Sequence, residues 1–277
     1  MRLVSYRAAA SRSWGVLDGD EIIDGRNAAR SLRAALELGV DFAAVDGERV
    51  AIAEVELLPP VVGPRRIFCV GKNYADHVSE MGGSTGDVSH PTIFTRTPQS
   101  LVGHDADLEH PGVSERFDFE GELAVVIAQP GRHIAPGDAL AHVGGYTVLM
   151  DGSVRDFQRH TSQFTPGKNF DNSGSCGPAL VTPDEVGDPA TLDLVTRLNG
   201  AVVQESNTAL MIYDLPTVIA YVSSFTELLP GDVIATGTPS GVGAGRTPPL
   251  WMRPGDVLEV EIERVGLLRN RVTEATT

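Results

Sequence analysis

Apolar residues fall in short runs separated by Gly, Pro and Asp along most of the chain, a spacing of strands and turns rather than of long helices. Over residues 1 to about 60 these runs alternate with DG and GD turns. The segment Trp14-Gly15-Val16-Leu17-Asp18-Gly19-Asp20-Glu21-Ile22-Ile23 has the form of a β-hairpin. Ser31 to Leu38 predicts a short helix. Pro59-Pro60 and Gly63-Pro64 then mark a connection, after which Arg66-Ile67-Phe68-Cys69-Val70 opens a new apolar strand. The chain is therefore expected to divide into a small amino-terminal domain, residues 1–62, and a larger domain, residues 63–277.

In the larger part, Leu123 to Ala128, Gly145 to Met150, Ala179 to Thr182, Leu192 to Asn199, Val233 to Thr236 and Val257 to Glu263 read as apolar or β-branched strands bounded by Gly and Pro. Helix is predicted at Asn73 to Met81 and at Leu215 to Thr226, where Pro216 suits a first turn. Gly82 to Ser89 has several glycines and no apolar periodicity, and is expected to be a mobile lid. The pattern is that of a mixed, β-rich α+β protein.

Charge narrows the partners. The 22 basic residues are outnumbered by 37 acidic ones, and the net charge of -15 repels nucleic acid and anionic membrane surfaces. The same field opposes an anionic substrate unless the site gathers positive charge locally, as a bound cation would. The two cysteines, Cys69 and Cys176, lie in unrelated contexts and indicate neither zinc nor a disulfide framework. The amino terminus lacks the apolar core of a signal peptide and no stretch reaches membrane-spanning length, so a cytoplasmic enzyme is expected.

Candidate chemistry begins at Phe117-Asp118-Phe119-Glu120-Gly121-Glu122-Leu123. In a strand, Asp118, Glu120 and Glu122 share one face, where three carboxylates repel unless a cation joins them. Hard oxygen ligands without Cys or His select Mg, Mn or Ca; a solvated edge face is the alternative. Asp151, closing the strand Val148-Leu149-Met150 before Gly152, is the candidate further ligand, or else a helix N-cap. Arg155 and Asp156 read as a structural pair. His77 and Glu80 are three apart on the predicted helix, so the carboxylate can orient the imidazole as a base, although most such pairs are surface neighbours. Lys168, in Pro166-Gly167-Lys168-Asn169, could hold an anionic oxygen near a metal. The glycines around Gly243 are followed by Pro248-Pro249 instead of a helix, Gly71-Lys72 and Gly167-Lys168 lack the rest of a phosphate loop, and Ser240 lacks the spacing of a nucleophile elbow.

The order of these segments resembles the fumarylacetoacetate hydrolase family from about residue 65 to the end. The resemblance rests on Val70-Gly71-Lys72-Asn73-Tyr74-Ala75-Asp76-His77, Phe117 to Leu123, Asp151 to Asp156, Gly167 to Phe170 and Pro230 to Gly243. It implies a mixed β-roll fold, a homodimer, and Mg2+ or Mn2+ held by Glu120, Glu122 and Asp151. It further implies that His77 and Glu80 activate water, that Lys168 contacts substrate, and that Thr238 binds a substrate carboxylate through its backbone. Arg96, standing where the family often has a lysine, is expected to contact substrate as well. The reaction implied is hydrolysis of a carbon–carbon bond in an acylpyruvate such as fumarylpyruvate. Decarboxylation of oxaloacetate and isomerisation of 2-hydroxyhepta-2,4-diene-1,7-dioate pass through the same enolate and stand as alternatives. A non-catalytic metal- or ligand-binding protein is the reading from another class, and it would not require a base.

Overall fold

The computed structural model describes residues 1–84 and 89–275. Of the expected lid over Gly82 to Ser89, residues 85–88 lie outside the described ones. The chain opens with strands β1 (Arg2–Ala8), β2 (Ser11–Asp18) and β3 (Glu21–Asp24), helix α1 (Leu32–Leu38), and short strands β4 (Arg49–Ala51) and β5 (Glu56–Leu58). The β2–β3 hairpin turns at Gly19, whose φ of +62° is the left-handed conformation a tight hairpin needs. Ser31 caps α1 by accepting from the Ala34 N–H, and Gly39 ends it at φ +64°.

Next come β6 (Ile67–Gly71), α2 (Ala75–Glu80), β7 (Thr92–Arg96), β8 (Leu101–Val102), β9 (Asp107–His110), β10 (Phe117–Asp118), β11 (Gly121–Ile127), β12 (Val143–Met150) and β13 (Ser153–Val154). Helices α3 (Arg155–Gln158) and α4 (Thr165–Lys168) precede β14 (Gly174–Val181) and the single turn α5 (Pro183–Val186). Strands β15 (Asp193–Leu198) and β16 (Ala201–Asn207), helix α6 (Leu215–Phe225), and strands β17 (Val233–Ala235), β18 (Val257–Ile262) and β19 (Gly266–Glu274) complete the chain.

A long mixed sheet runs β4-β3-β2-β1-β14-β12-β11-β17-β6-β7, with β5 added to β1 and β8 to β14. The amino-terminal strands extend the central sheet through the β1–β14 pairing, Arg2 opposite Val181. A second sheet, β16-β15-β18-β19-β9, packs against one face of the first. Most pairs are antiparallel, whereas β17 with β6, β19 with β9 and β14 with β8 are parallel.

Strand β11 lies in the middle and is buried on both faces. Leu123, Val125 and Ile127 join the core shared with Leu194, Leu258, Val260 and the inner face of α6. Ala124 and Val126 join the opposite core with Trp14, Leu32, Leu149 and Ala235. This is why its sequence is continuously apolar after Glu122. Among the described residues no helix is long and apolar enough to cross a membrane.

Candidate active site and metal centre

Strand pairing fixes the carboxylates. Strand β10 ends at Asp118, the chain breaks step at Phe119-Glu120, and β11 resumes at Gly121, opposite Met150. Glu120 and Glu122 therefore meet Asp151, the residue just past β12, and the Asp151 N–H donates to the Glu120 carbonyl at 2.9 Å. One oxygen from each of Glu120, Glu122 and Asp151 lies within 4.8 Å of the other two, and all three residues are buried. Asp118 does not join them. Its carboxylate accepts from the N–H groups of Phe119, Gly243 and Ala244 and from Arg155 Nε, tying the loop at 243–244 to the strand. The shared face expected for all three acids fails at the break between β10 and β11.

Cations surround the cluster from one side. Lys168 Nζ is 2.6 Å from both Glu120 Oε2 and Asp151 Oδ2, and it lies over the Phe94 ring. Arg155 bridges Asp118 and Glu120 at 2.7 Å each, so the expected pairing with Asp156 is corrected. Adjacent residues on a helical turn point in different directions; Asp156 turns outward and accepts from Ser114 Oγ. Burial would raise the Glu120 carboxyl, but Lys168 and Arg155 outweigh it and bring it down to about 2. Burial lowers and the two carboxylates raise the Lys168 ammonium, with a net rise that keeps it charged.

Glu122 has no such partner: its carboxylate accepts the Gly237 N–H at 2.8 Å. Burial first, then Asp151 and Glu120, push its carboxyl well above the usual range. Asp118, Glu120 and Asp151 are thus paired with the three cations Arg96, Arg155 and Lys168, whereas Glu122 makes no ion pair among the described residues. A hard divalent cation fits this donor set. At metal–oxygen distances of about 2.1 Å, oxygens of an octahedral shell lie about 3 to 4.2 Å apart. No sulfur or imidazole competes within the cluster.

The dyad stands beside it. Helix α2 brings His77 Nδ1 to 2.8 Å from Glu80 Oε1, and Glu80 Oε2 accepts the Gly241 N–H at 2.9 Å. Both carboxylate oxygens are thereby fixed, and an Nδ1–H donated to Glu80 leaves Nε2 as the basic nitrogen. His77, Glu120, Glu122, Lys168, Arg155 and Thr238 line one cavity of about 540 Å³. A second cavity, of about 490 Å³ between residues 56–64 and 98–106, is lined by none of these groups.

Backbone anchors hold the parts together. The Asn73 amide donates to the carbonyls of Tyr213 and Thr236 and accepts from the Tyr213 N–H. Gly237, at φ +99°, passes so close that a Cβ would lie 2.8 Å from that of Asn73. The Thr238 hydroxyl donates to the Gly121 carbonyl and accepts from Gln204, so its side chain faces inward and its backbone is what can meet a ligand.

Arg96 differs from expectation. It is fully buried and does not line the cavity. Its five N–H groups meet Ser100 Oγ, Asp151 Oδ1, the Gly152 and Ser100 carbonyls, and Ser173 Oγ. A guanidinium has five donors, so none remains for a substrate. Arg96 instead fixes Asp151 from behind. Arg96→Met should accordingly cost about 3–5 kcal/mol of stability by leaving Asp151 buried beside an unfilled set of acceptors. Urea denaturation checks this, and a midpoint within error of the parent would refute it.

Sequence reading missed Arg155 and Gln158 as cavity residues. The available signal was their i, i+3 spacing immediately after Asp151; Gln158 Oε1 accepts from Arg155 at 3.0 Å.

Residues 66–273 match the fumarylacetoacetate (FAA) hydrolase C-terminal family, and the chain belongs to that family of enzymes. It is 45% identical over 222 residues to the human mitochondrial oxaloacetate tautomerase FAHD2B, covering 79% of this chain and 70% of the relative. It is 42% identical over 224 residues to oxaloacetate tautomerase YisK of Bacillus subtilis (strain 168), covering 80% and 74%. The fold superposes with a TM-score of 0.83 on maleylpyruvate hydrolase from Sphingobium sp. SYK-6 in complex with manganese (II) ion and pyruvate, at 30% identity and with both chains fully covered.

Proposed function

We propose that this enzyme interconverts the oxo and enol forms of a 2-oxo-dicarboxylate such as oxaloacetate, with Mg2+ or Mn2+ at Glu120, Glu122 and Asp151. The observation that carries the reading is the His77–Glu80 dyad opening, through His77, on the cavity lined by Glu120 and Glu122 of the acidic cluster. The similarity to oxaloacetate tautomerases supports the substrate class.

The chemistry follows from where charge develops. His77 Nε2 takes a proton from the carbon beside the oxo group, and Glu80 stabilises the resulting imidazolium. Negative charge then grows on the oxo oxygen. A divalent cation, when bound, supplies Lewis-acid stabilisation of that charge. Lys168, held at a fixed place in the cavity wall, adds a preorganised positive charge. The Thr238 backbone binds the carboxylate, and the apolar side chains of Val70, Val78, Met81 and Phe94 limit water. Proton return to oxygen gives the enol, and return to carbon gives the oxo form.

Hydrolysis of an acylpyruvate is the second reading, favoured by the same dyad, because a base that takes a proton from carbon can equally take one from water. The test presents enol-oxaloacetate and follows decay of its ultraviolet absorbance with Mg, with Mn and with EDTA, while a coupled assay measures pyruvate released from oxaloacetate and from fumarylpyruvate. Chelator-sensitive enol decay without pyruvate is the expected result. Pyruvate from fumarylpyruvate with uncatalysed enol decay would replace the reading by hydrolysis, and pyruvate from oxaloacetate alone would replace it by decarboxylation.

A further inference from the structure

Four cationic residues line the catalytic cavity, and the side chains of two of them are committed. Lys168 bridges Glu120 and Asp151, and Arg155 bridges Asp118 and Glu120. The other two are Lys72 and Arg159. Both are exposed, and among the described residues neither side chain makes an ion pair or a hydrogen bond. They approach from different elements: Lys72 from the link between β6 and α2, Arg159 from the end of α3 beyond Gln158.

The backbone at Lys72 is unusual. Its φ of +61° lies in the left-handed region, which disfavours a residue with a Cβ. The next residue enforces it, since Asn73 is pinned by three side-chain hydrogen bonds to the chain at 213 and 236. A conformation of this kind, costing about 1–3 kcal/mol and held by its surroundings at the edge of a site, directs a side chain to a particular place.

We infer that Lys72 and Arg159 form a subsite for a second anionic group, the distal carboxylate of the substrate, and so select 2-oxo-dicarboxylates over 2-oxo acids with a neutral tail. The net charge of -15 opposes entry of a dianion, and two unpaired cations at the cavity edge supply the local positive potential that admits one. Lys168 and Arg155 cannot do this without leaving buried carboxylates unpaired. The inference rests on the reading of this site as one that takes a 2-oxo acid.

The experiment compares Lys72→Met, Arg159→Met, the double variant and Lys72→Arg, using oxaloacetate and phenylpyruvate as enolising substrates. The KM for oxaloacetate should rise about fivefold for each single Met variant and about twentyfold for the double, with kcat kept, as for loss of one exposed charge contact apiece. Parameters for phenylpyruvate should stay unchanged, and Lys72→Arg should restore most of the affinity. Equal losses on both substrates, or an unchanged KM for oxaloacetate, would overturn the subsite. A binding arm separates this from failure of the proposed reaction: calorimetry of Mg-saturated protein with malate and with lactate, which differ in the distal carboxylate. Weaker malate binding in the variants with lactate unaffected supports the subsite even if the parent enolises neither substrate. Equal malate affinity in parent and double variant, or no malate binding by the parent, refutes it.

Discussion

Replacing Glu122 by Gln is expected to abolish metal binding and turnover while making the metal-free protein more stable. Glu120 and Asp151 each have cationic partners, but Glu122 is buried against both of them with a single backbone donor. The amide keeps an acceptor for the Gly237 N–H and removes the repulsion. The gain should be roughly 1–3 kcal/mol at neutral pH, or about 2–4 °C in melting temperature per kcal/mol. The sign with pH follows from the raised carboxyl. Below its ordinary value of 4.5 the group is protonated folded or unfolded, and above it the unfolded chain ionises first. The parent should therefore lose stability as pH rises from about 4.5 toward the raised folded value, and Glu122→Gln should not. Saturating Mg should reverse the order of stabilities, because only the parent gains binding energy. Thermal melts with and without Mg, together with calorimetric metal titration, check all of this. A less stable metal-free variant, or undiminished metal binding, would remove Glu122 from the cluster's role.

His77→Asn should lower kcat by about 10²–10⁴, the range for loss of a positioned base, while leaving Mg affinity unchanged. The imidazole makes no bond to the three clustered carboxylates; its hydrogen-bond partner is Glu80. Glu80→Gln should cost less, about tenfold, because an amide oxygen can still accept from Nδ1–H, while its NH2 loses the Gly241 bond and the side chain no longer stabilises the charged ring. Steady-state kinetics of enol decay, read beside metal titrations, distinguish the two roles. Retained kcat in His77→Asn would assign the proton transfer to another group, and lost metal affinity would make His77 a part of the metal site.

Much of this site was legible because it depends on neighbours in sequence. The apolar stretch after Glu122 announces a strand buried on both faces, and the acids before it mark where that strand meets the site. The i, i+3 spacing of His77 and Glu80 does place imidazole and carboxylate side by side on α2, although spacing alone does not distinguish them from a surface pair. What failed depends on contacts between distant residues. Alternation cannot reveal the break at Phe119-Glu120 that sends Asp118 to the 243–244 loop. The saturation of Arg96 needs Ser173 and Gly152, which only folding brings to it. Likewise α2 starts at Ala75 and not at Asn73, because the Asn73 side chain is holding segments more than a hundred residues away. The pairing of β1 with β14, Arg2 opposite Val181, is likewise a contact between distant positions that local pattern does not display.

The placement of β11 at the middle of the long sheet has a consequence for how such a protein can change over evolutionary time. Glu120, Glu122 and Asp151 are set by strands packed on both sides, where almost any substitution disturbs two cores. The cavity rim, by contrast, includes Lys72, Arg159 and Thr161, which are exposed. Mutation at those exposed positions can therefore exchange the substrate without touching the acidic cluster, one inherited reaction step being offered to successive new molecules by a border that is free to vary.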